Sequence, residues 1–283
     1  MNRLEKRFPK KRILITGATS GFGEALAYAL AERGWNVAIS GRDPAAVKRT
    51  VKNVNQRGGK GLGLALEVRD KLQWDAAREK LQKAWGGIDI LCNNAGVADS
   101  NKLVDMTDAD WEKLLSINLD GVINGCRTYV PDFIAAKSGY ILNVSSVAGL
   151  LSMPEMANYS VSKAGVVSLS ETMSAELSGA NIGVTVLCPA GFRSSLFVNA
   201  ARDGQDVTAR SSVARTIQKD MDEGKHTSES VAAYAIRDME RGTLYSLPMP
   251  LYRAAWAFKR IAPNTFYKTV GWLYRNNLGP FDN

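Results

Sequence analysis

From residue 12 onward, short apolar runs alternate with longer amphipathic stretches, the pattern of strands joined by helical crossovers. Runs at 12–16, 36–40, 63–68, 88–93, 139–144, 183–188 and 243–247 predict seven strands. Helical periodicity at 22–33, 44–56, 71–85, 108–136, 158–178 and 228–241 fills the intervals between them. Right-handed crossovers place such helices on both faces, so the expected class is α/β, a Rossmann-type doubly wound sheet of seven parallel strands. The stretch 192–227 is polar and lacks a strand signal, and its length suits a substrate lid better than a connector. A basic N-terminal tail (1–12), one catalytic domain (13–248) and an amphipathic, helical C-terminal extension (249–283) complete the expected organisation.

Composition narrows the chemistry. The 283 residues are 45% hydrophobic and 23% charged, which excludes disordered and coiled-coil classes. Of the net charge of +8, residues 1–12 carry +5 and residues 249–283 carry +4, leaving −1 for the body. That distribution argues against a nucleic-acid groove and leaves contact with an anionic membrane surface open through 249–283. No run approaches the roughly 18 apolar residues of a membrane-spanning helix, and Ile13–Ile15 is too short for a signal peptide core. Cys92, Cys126 and Cys188 are too few and too scattered for a disulfide framework or a metal knuckle, so they are expected as small buried residues in a reducing, cytoplasmic compartment. With His226 as the sole histidine, no metal site is expected and proton transfer must fall to another residue type.

Gly17, Thr19, Ser20, Gly21, Phe22 and Gly23 follow the first apolar run and open a helix. Glycine there lets the backbone turn tightly and approach a pyrophosphate that faces the free N–H groups of the helix. A carboxylate at the tip of the second strand would bind a ribose 2′-hydroxyl, whereas a cation accommodates a 2′-phosphate. The strand ends Ile39-Ser40-Gly41-Arg42, so Ser40 and Arg42 favour NADP over NAD. Asp43, the rival ribose ligand, precedes Pro44 and suits a helix cap better.

Tyr159 and Lys163 lie four apart on a helical segment and share one face. An ammonium beside a phenol lowers its pKa, which would make Tyr159 a general acid for a carbonyl oxygen. Ser145 and Ser146 end the fifth strand at the carboxyl edge, where open α/β sheets bind ligands and a hydroxyl can hold a substrate oxygen.

Taken in order, Thr16–Gly23, Asn93-Asn94-Ala95-Gly96, Asn118 within Ser116–Leu119, Asn143-Val144-Ser145-Ser146 and Tyr159–Lys163 resemble the short-chain dehydrogenase/reductase family over about residues 12–247. The resemblance implies that Tyr159 is the catalytic acid and base, that Lys163 binds the nicotinamide ribose, and that Asn118 supports a proton relay. The family's serine stands 13 residues before its tyrosine, which selects Ser146. Asn94, Ala95 and Gly96 would flank the cofactor, and Glu67 and Val68 take the adenine position. Pro189, Gly191, Phe192 and Ser194 would form the nicotinamide side. Ala190 departs from the family's Pro-Gly and is less permissive in the backbone.

The extension departs from the family too. Leu251, Ala254, Ala255 and Phe258 share one helical face, as do Phe266, Val270 and Leu273, and cations supply the polar sides. Such helices cover either the cleft or a partner copy, or else lie on a membrane. The expected protein is an NADP(H)-dependent oxidoreductase acting on a bulky hydrophobic ketone or aldehyde, a homodimer or homotetramer pairing through 108–136 and 158–178. The alternative is a non-catalytic NADP(H)-binding scaffold that responds to redox state.

Overall fold

The computed structural model describes residues 3–194 and 207–281. Its strands are β1 (Arg12–Ile15), β2 (Asn36–Gly41), β3 (Lys60–Ala65), β4 (Ile90–Asn93), β5 (Gly139–Val144), β6 (Ile182–Leu187) and β7 (Tyr245–Ser246). They form one parallel sheet in the order 3-2-1-4-5-6-7. Ile13, Leu14 and Ile15 are fully buried, as a central strand covered on both faces requires. The order reverses between β1 and β4, and that switch point opens the crevice in which the site lies.

The helices are α1 (Arg3–Arg7), α2 (Gly21–Ala31), α3 (Pro44–Gln56), α4 (Lys71–Trp85), α5 (Asp108–Leu115), α6 (Gly121–Ala136), α7 (Ala148–Leu151), α8 (Ala157–Glu176), α9 (Val207–Arg210), α10 (Ser212–Glu223), α11 (Ser228–Arg241), α12 (Pro250–Ile261) and α13 (Pro263–Arg275). One face of the sheet packs on α2, α3 and α11, the other on α4, α6 and α8. Their ends carry the expected signals. Asp43 accepts from Ala45 N at 2.8 Å ahead of Pro44, Thr107 and Asp110 close a capping box, and Gly86 ends α4 in the left-handed region.

Four expectations shift. The helix expected over 108–136 is broken by a π turn at Ser116–Asp120, which carries Asn118. Strand β3 starts at Lys60 rather than 63, because hydropathy cannot mark a start among glycines. A Cβ at Gly63 would lie 2.9 Å from Val47 Cγ1, so bare backbone is what lets α3 pack on this strand. The basic segment expected as a tail docks from Arg3 onward: Leu4 and Phe8 are buried, and Glu5 pairs with Arg33 at 2.7 Å. Burial opposes ionisation of Glu5, yet the bonds from Arg33 and Trp35 win and hold its carboxyl at about 2.

The fourth concerns the extension. The Phe266, Val270 and Leu273 side of α13 turns inward, as the cleft-covering alternative requires. In α12 the expected face is split: Ala255 meets the body together with Tyr252 and Trp256, and Trp256 packs on Tyr245 with centroids 4.8 Å apart, while the Leu251 edge lies outside. Leu251 is 74% and Ile261 85% exposed. The cations make the inward tethers, with Arg253 Nε donating to Leu247 O and Lys259 Nζ to Leu150 O. No helix among the described residues is long and apolar enough to cross a membrane. All three cysteines are buried thiols, as expected.

Candidate active site

A cavity of about 330 Å³ runs along the carboxyl edge of the sheet, from the β1–α2 turn to the α7–α8 loop. At one end, Gly17 and Gly21 take φ of +62° and +57°, values that favour glycine. A Cβ on Gly17 would lie 2.9 Å from Ala95 Cα, so the two loops meet only because that position is bare. Thr16 fixes the junction: its Oγ1 accepts from Asn94 N and Ala95 N, each at 2.9 Å, while Asn94 Nδ2 donates to Thr16 O at 2.7 Å. The N-terminus of α2 opens on the cavity through Gly21 and Phe22, with the N–H groups and dipole that suit a pyrophosphate. Bare backbone, a helix N-terminus and the exposed Arg42 at the far wall together fit an extended phosphate-bearing dinucleotide.

Most residues nominated for the cofactor line this space: Gly17, Thr19, Ser20, Gly21, Phe22, Arg42, Glu67, Val68, Asn94, Ala95, Gly96, Tyr159, Lys163, Pro189, Gly191, Phe192 and Ser194. Two do not. Gly23 lies behind the turn, where a Cβ would sit 2.4 Å from Asn94 Nδ2, and Ser40 is buried while its neighbour Gly41 reaches the cavity. Asp43 is spent on the α3 cap. A hydrogen bond from Arg69 holds the Glu67 carboxyl below its usual range, and the charge of Arg42 adds to the effect. Ala190 keeps a negative φ, so the departure at that position brings no backbone strain.

At the other end stand Ser146, Tyr159 and Lys163. The two serines of β5 separate cleanly. Ser145 Oγ donates to Lys163 O at 2.8 Å and anchors α8, whereas Ser146 Oγ donates to Pro189 O at 3.4 Å, accepts from Ala148 N at 3.1 Å and shares the cavity wall with Tyr159. Lys163 Nζ donates to Val144 O at 3.1 Å and lies 5.7 Å from the Tyr159 ring centroid. Burial pulls Lys163 down to about 8 and pushes Tyr159 up to about 12, the latter opposed by the neighbouring Ser146 hydroxyl. The expected lowering of Tyr159 is therefore overturned in the protein alone. Both side chains have left water, and desolvation outweighs an ammonium that sits over the ring and bonds a carbonyl.

Asn118 does not line the cavity. Its buried side chain brackets Val97, Oδ1 accepting from the amide at 2.8 Å and Nδ2 donating to the carbonyl at 2.9 Å. A Cβ on Gly96 would come within 3.1 Å of Asn118 Oδ1 and 3.5 Å of Lys163 Nζ, so the residue walls the Lys163 pocket.

The sequence reading missed the opposite wall. Helix α10 contributes Val213, Thr216, Ile217, Asp220 and Met221, and Tyr252 enters from α12. The signal was present in the i, i+4, i+8 spacing of Val213, Ile217 and Met221 within the polar stretch. The expected lid thus contains a helix against the site, while residues 195–206 of it lie outside the described residues.

A parallel sheet with a glycine turn at its switch point, and a Ser–Tyr–Lys set in the same cavity, defines an oxidoreductase that uses a nicotinamide dinucleotide. A family model described as short chain dehydrogenase matches residues 11–205, and the chain belongs to the short-chain dehydrogenase/reductase family. Over 183 residues, 65% of this chain and 74% of the relative, it is 38% identical to the 3-oxoacyl-acyl-carrier-protein reductase FabG of Thermotoga maritima. It is 35% identical over 178 residues to a Mycobacterium tuberculosis protein named "Probable oxidoreductase EphD", and that match spans 30% of EphD. Among solved structures, a short-chain dehydrogenase/reductase from Burkholderia phymatum in complex with NAD superposes with a TM-score of 0.82 at 29% identity, covering 96% of both chains. A short-chain dehydrogenase from Sphingobium yanoikuyae in complex with NADPH gives 0.74 at 26% identity, covering 90% of this chain and 94% of that one.

Proposed function

We propose that the protein is an NADP(H)-dependent oxidoreductase that moves a hydride between the nicotinamide and the carbonyl or alcohol carbon of a bulky apolar substrate. The observation that carries the reading is one cavity whose walls hold both the glycine turn and the Ser146–Tyr159–Lys163 set. When bound, the cofactor supplies the hydride. In the reducing direction Ser146 holds the substrate oxygen and Tyr159 donates its proton; a phenol pushed up to about 12 stays protonated across the physiological range. Lys163 would hold the nicotinamide ribose, and Asn118, bonded to Val97, holds the wall beside Lys163. NADP is favoured because Arg42 stands at the tip of β2 where a carboxylate would select NAD. Leu151, Met153, Met156, Ile217 and Tyr252 support a large apolar substrate.

The test is NADPH oxidation over ketones and aldehydes graded by size, with NADH and Tyr159→Phe as controls. Turnover concentrated on large apolar carbonyls is expected, with Tyr159→Phe losing about 10²- to 10⁴-fold while still binding NADPH. Tight NADPH binding with no turnover in either direction would overturn the reading in favour of the scaffold.

The outward stripe of α12 supports a peripheral role within the same reading, in a reducing, cytoplasmic compartment. Leu251, Phe258 and Ile261, with Trp272 of α13 and Leu278, are exposed apolar groups amid the exposed cations Arg260, Lys268 and Arg275. That combination suits an anionic lipid surface. A second copy seated isologously on this stripe would face like charge, so self-association falls instead to α6 and α8, where Ile134 and Val161 are exposed.

A further inference from the structure

Glu155 stands in the α7–α8 loop, four residues before Tyr159, with φ of +59°. A side chain in the left-handed region costs about 1 kcal/mol or more and persists where its surroundings hold it. Here they hold it from three directions. Its carboxylate accepts from Ser211 Oγ at 2.6 Å and from Val213 N at 3.3 Å, with Ser212 Oγ at 3.4 Å, so it occupies the N-terminus of α10. The other carboxylate oxygen accepts from Tyr274 OH, at the end of α13, at 2.9 Å. Its carbonyl accepts from Asn101 N at 2.8 Å and Ser100 Oγ at 2.9 Å, and Ser100 Oγ pairs in turn with Ser211 Oγ at 2.8 Å.

These bonds converge beside the reacting groups. Met156, the next residue, lines the cavity, and Val213 and Ile217 face it from α10. Phe281 is buried among Met156, Tyr159 and Val213, and its ring packs edge-on to Tyr274 with centroids 5.5 Å apart. The lid helix, the catalytic tyrosine's loop and the C-terminal helix therefore share one anchor. Burial opposes ionisation of Glu155, yet the bonds from Ser211, Tyr274, Val213 N and Ser212 prevail and hold its carboxyl below the usual range.

We propose that Glu155 is a positioning residue: it latches α10 and α13 over the substrate half of the cavity and so sets how large a substrate reaches Tyr159. The size-selection part rests on the oxidoreductase reading; the latch does not. Glu155→Gln keeps the shape and removes the charge, and Tyr274→Phe removes a single bond. Hydrogen exchange of the α10 amides reads the latch without catalysis. Both variants are expected to speed exchange across 212–223 by about tenfold or more, NADPH affinity staying within about twofold. On graded ketones, KM for the largest should fall relative to the smallest, with kcat on the smallest unchanged. Wild-type exchange in both variants, in folded protein, overturns the latch whatever the activity. Faster exchange in a wild-type background that reduces no carbonyl sustains the latch and removes the oxidoreductase reading instead.

Discussion

Binding of the dinucleotide should take up a proton at alkaline pH, and Lys163 is where that proton goes. In the protein alone burial pulls the Lys163 ammonium from 10.5 to about 8, because the group has exchanged water for a neutral carbonyl at 3.1 Å. Half the molecules then carry a neutral amine at pH 8, and about nine-tenths at pH 9. A polyanionic ligand in the same cavity restores the charged form as the preferred one. Uptake per site is expected to be near zero at pH 6.5, to reach about 0.5 at pH 8 and to approach about 0.9 at pH 9, so affinity falls by up to a decade per pH unit above 8. Isothermal titration calorimetry with NADPH, in two buffers of different ionisation enthalpy at each pH, measures the uptake directly. Lys163→Met should abolish it. Uptake that stays at zero through pH 9, or that survives in Lys163→Met, refutes the assignment. The sign for stability follows from the same shift. Between pH 8 and 10.5 the unfolded chain binds more protons than the folded one, so stability rises with pH, by about 3 kcal/mol over the full window from this group.

Arg42→Ala should weaken NADPH by about tenfold or more while leaving NADH within about twofold, measured by fluorescence titration; equal losses for both would place Arg42 outside the 2′-phosphate site. Gly125→Ala drives a Cβ to 2.4 Å from Asn93 Oδ1 and 2.7 Å from Trp74, so thermal unfolding should show a loss of about 1–3 kcal/mol, and an unchanged Tm would mean that α6 can shift without cost. The full chain should co-sediment with vesicles of anionic phospholipid and less with neutral ones. Leu251→Glu combined with Ile261→Glu should release it without altering NADPH affinity, and equal sedimentation of the double variant would exclude the α12 stripe as the contact.

What the sequence disclosed of the fold follows from short-range physics. Strands β1, β2 and β5 were legible because central parallel strands are buried on both faces and must be apolar throughout, as Ile13–Ile15 and Tyr140–Leu142 are. The glycine turn and its helix were legible because the backbone there needs φ values that side chains disfavour. The Tyr159–Lys163 pair was visible as spacing, and its protonation was not. Whether an ammonium lowers a neighbouring phenol depends on how far each has been desolvated, and that is set by Val144, Ser146 and Cys188, brought in from other strands. The wall formed by α10 shows the same limit. Its periodicity was readable, yet a helix of 12 residues declares its destination only through contacts such as Ser211 to Glu155, which lie 56 residues apart.

The outward Leu251 edge of α12 shows where hydrogen bonding adds to apolar packing in setting a helix's orientation. An exposed leucine stripe costs little in folding, since Leu251 and Ile261 are as wet in the unfolded chain as in the folded one. The carbonyls of Leu150 and Leu151 differ, because the last turn of α7 leaves its C=O groups without partners in the helix. Turning the Leu251 side of α12 inward would withdraw Lys259 from Leu150 O, and a carbonyl orphaned in this way costs about 1–3 kcal/mol. Tyr267 holds Leu151 O at 2.8 Å and the Lys259 ammonium rests 5.4 Å from its ring, so the two helices secure α7 together. Lys259 and Tyr267 thus tie both helices to α7, alongside the inward packing of Tyr252 and Trp256, and the Leu251 edge stays outside. The same choice leaves an apolar, cationic surface beside a cavity wall to which Tyr252 of that helix contributes.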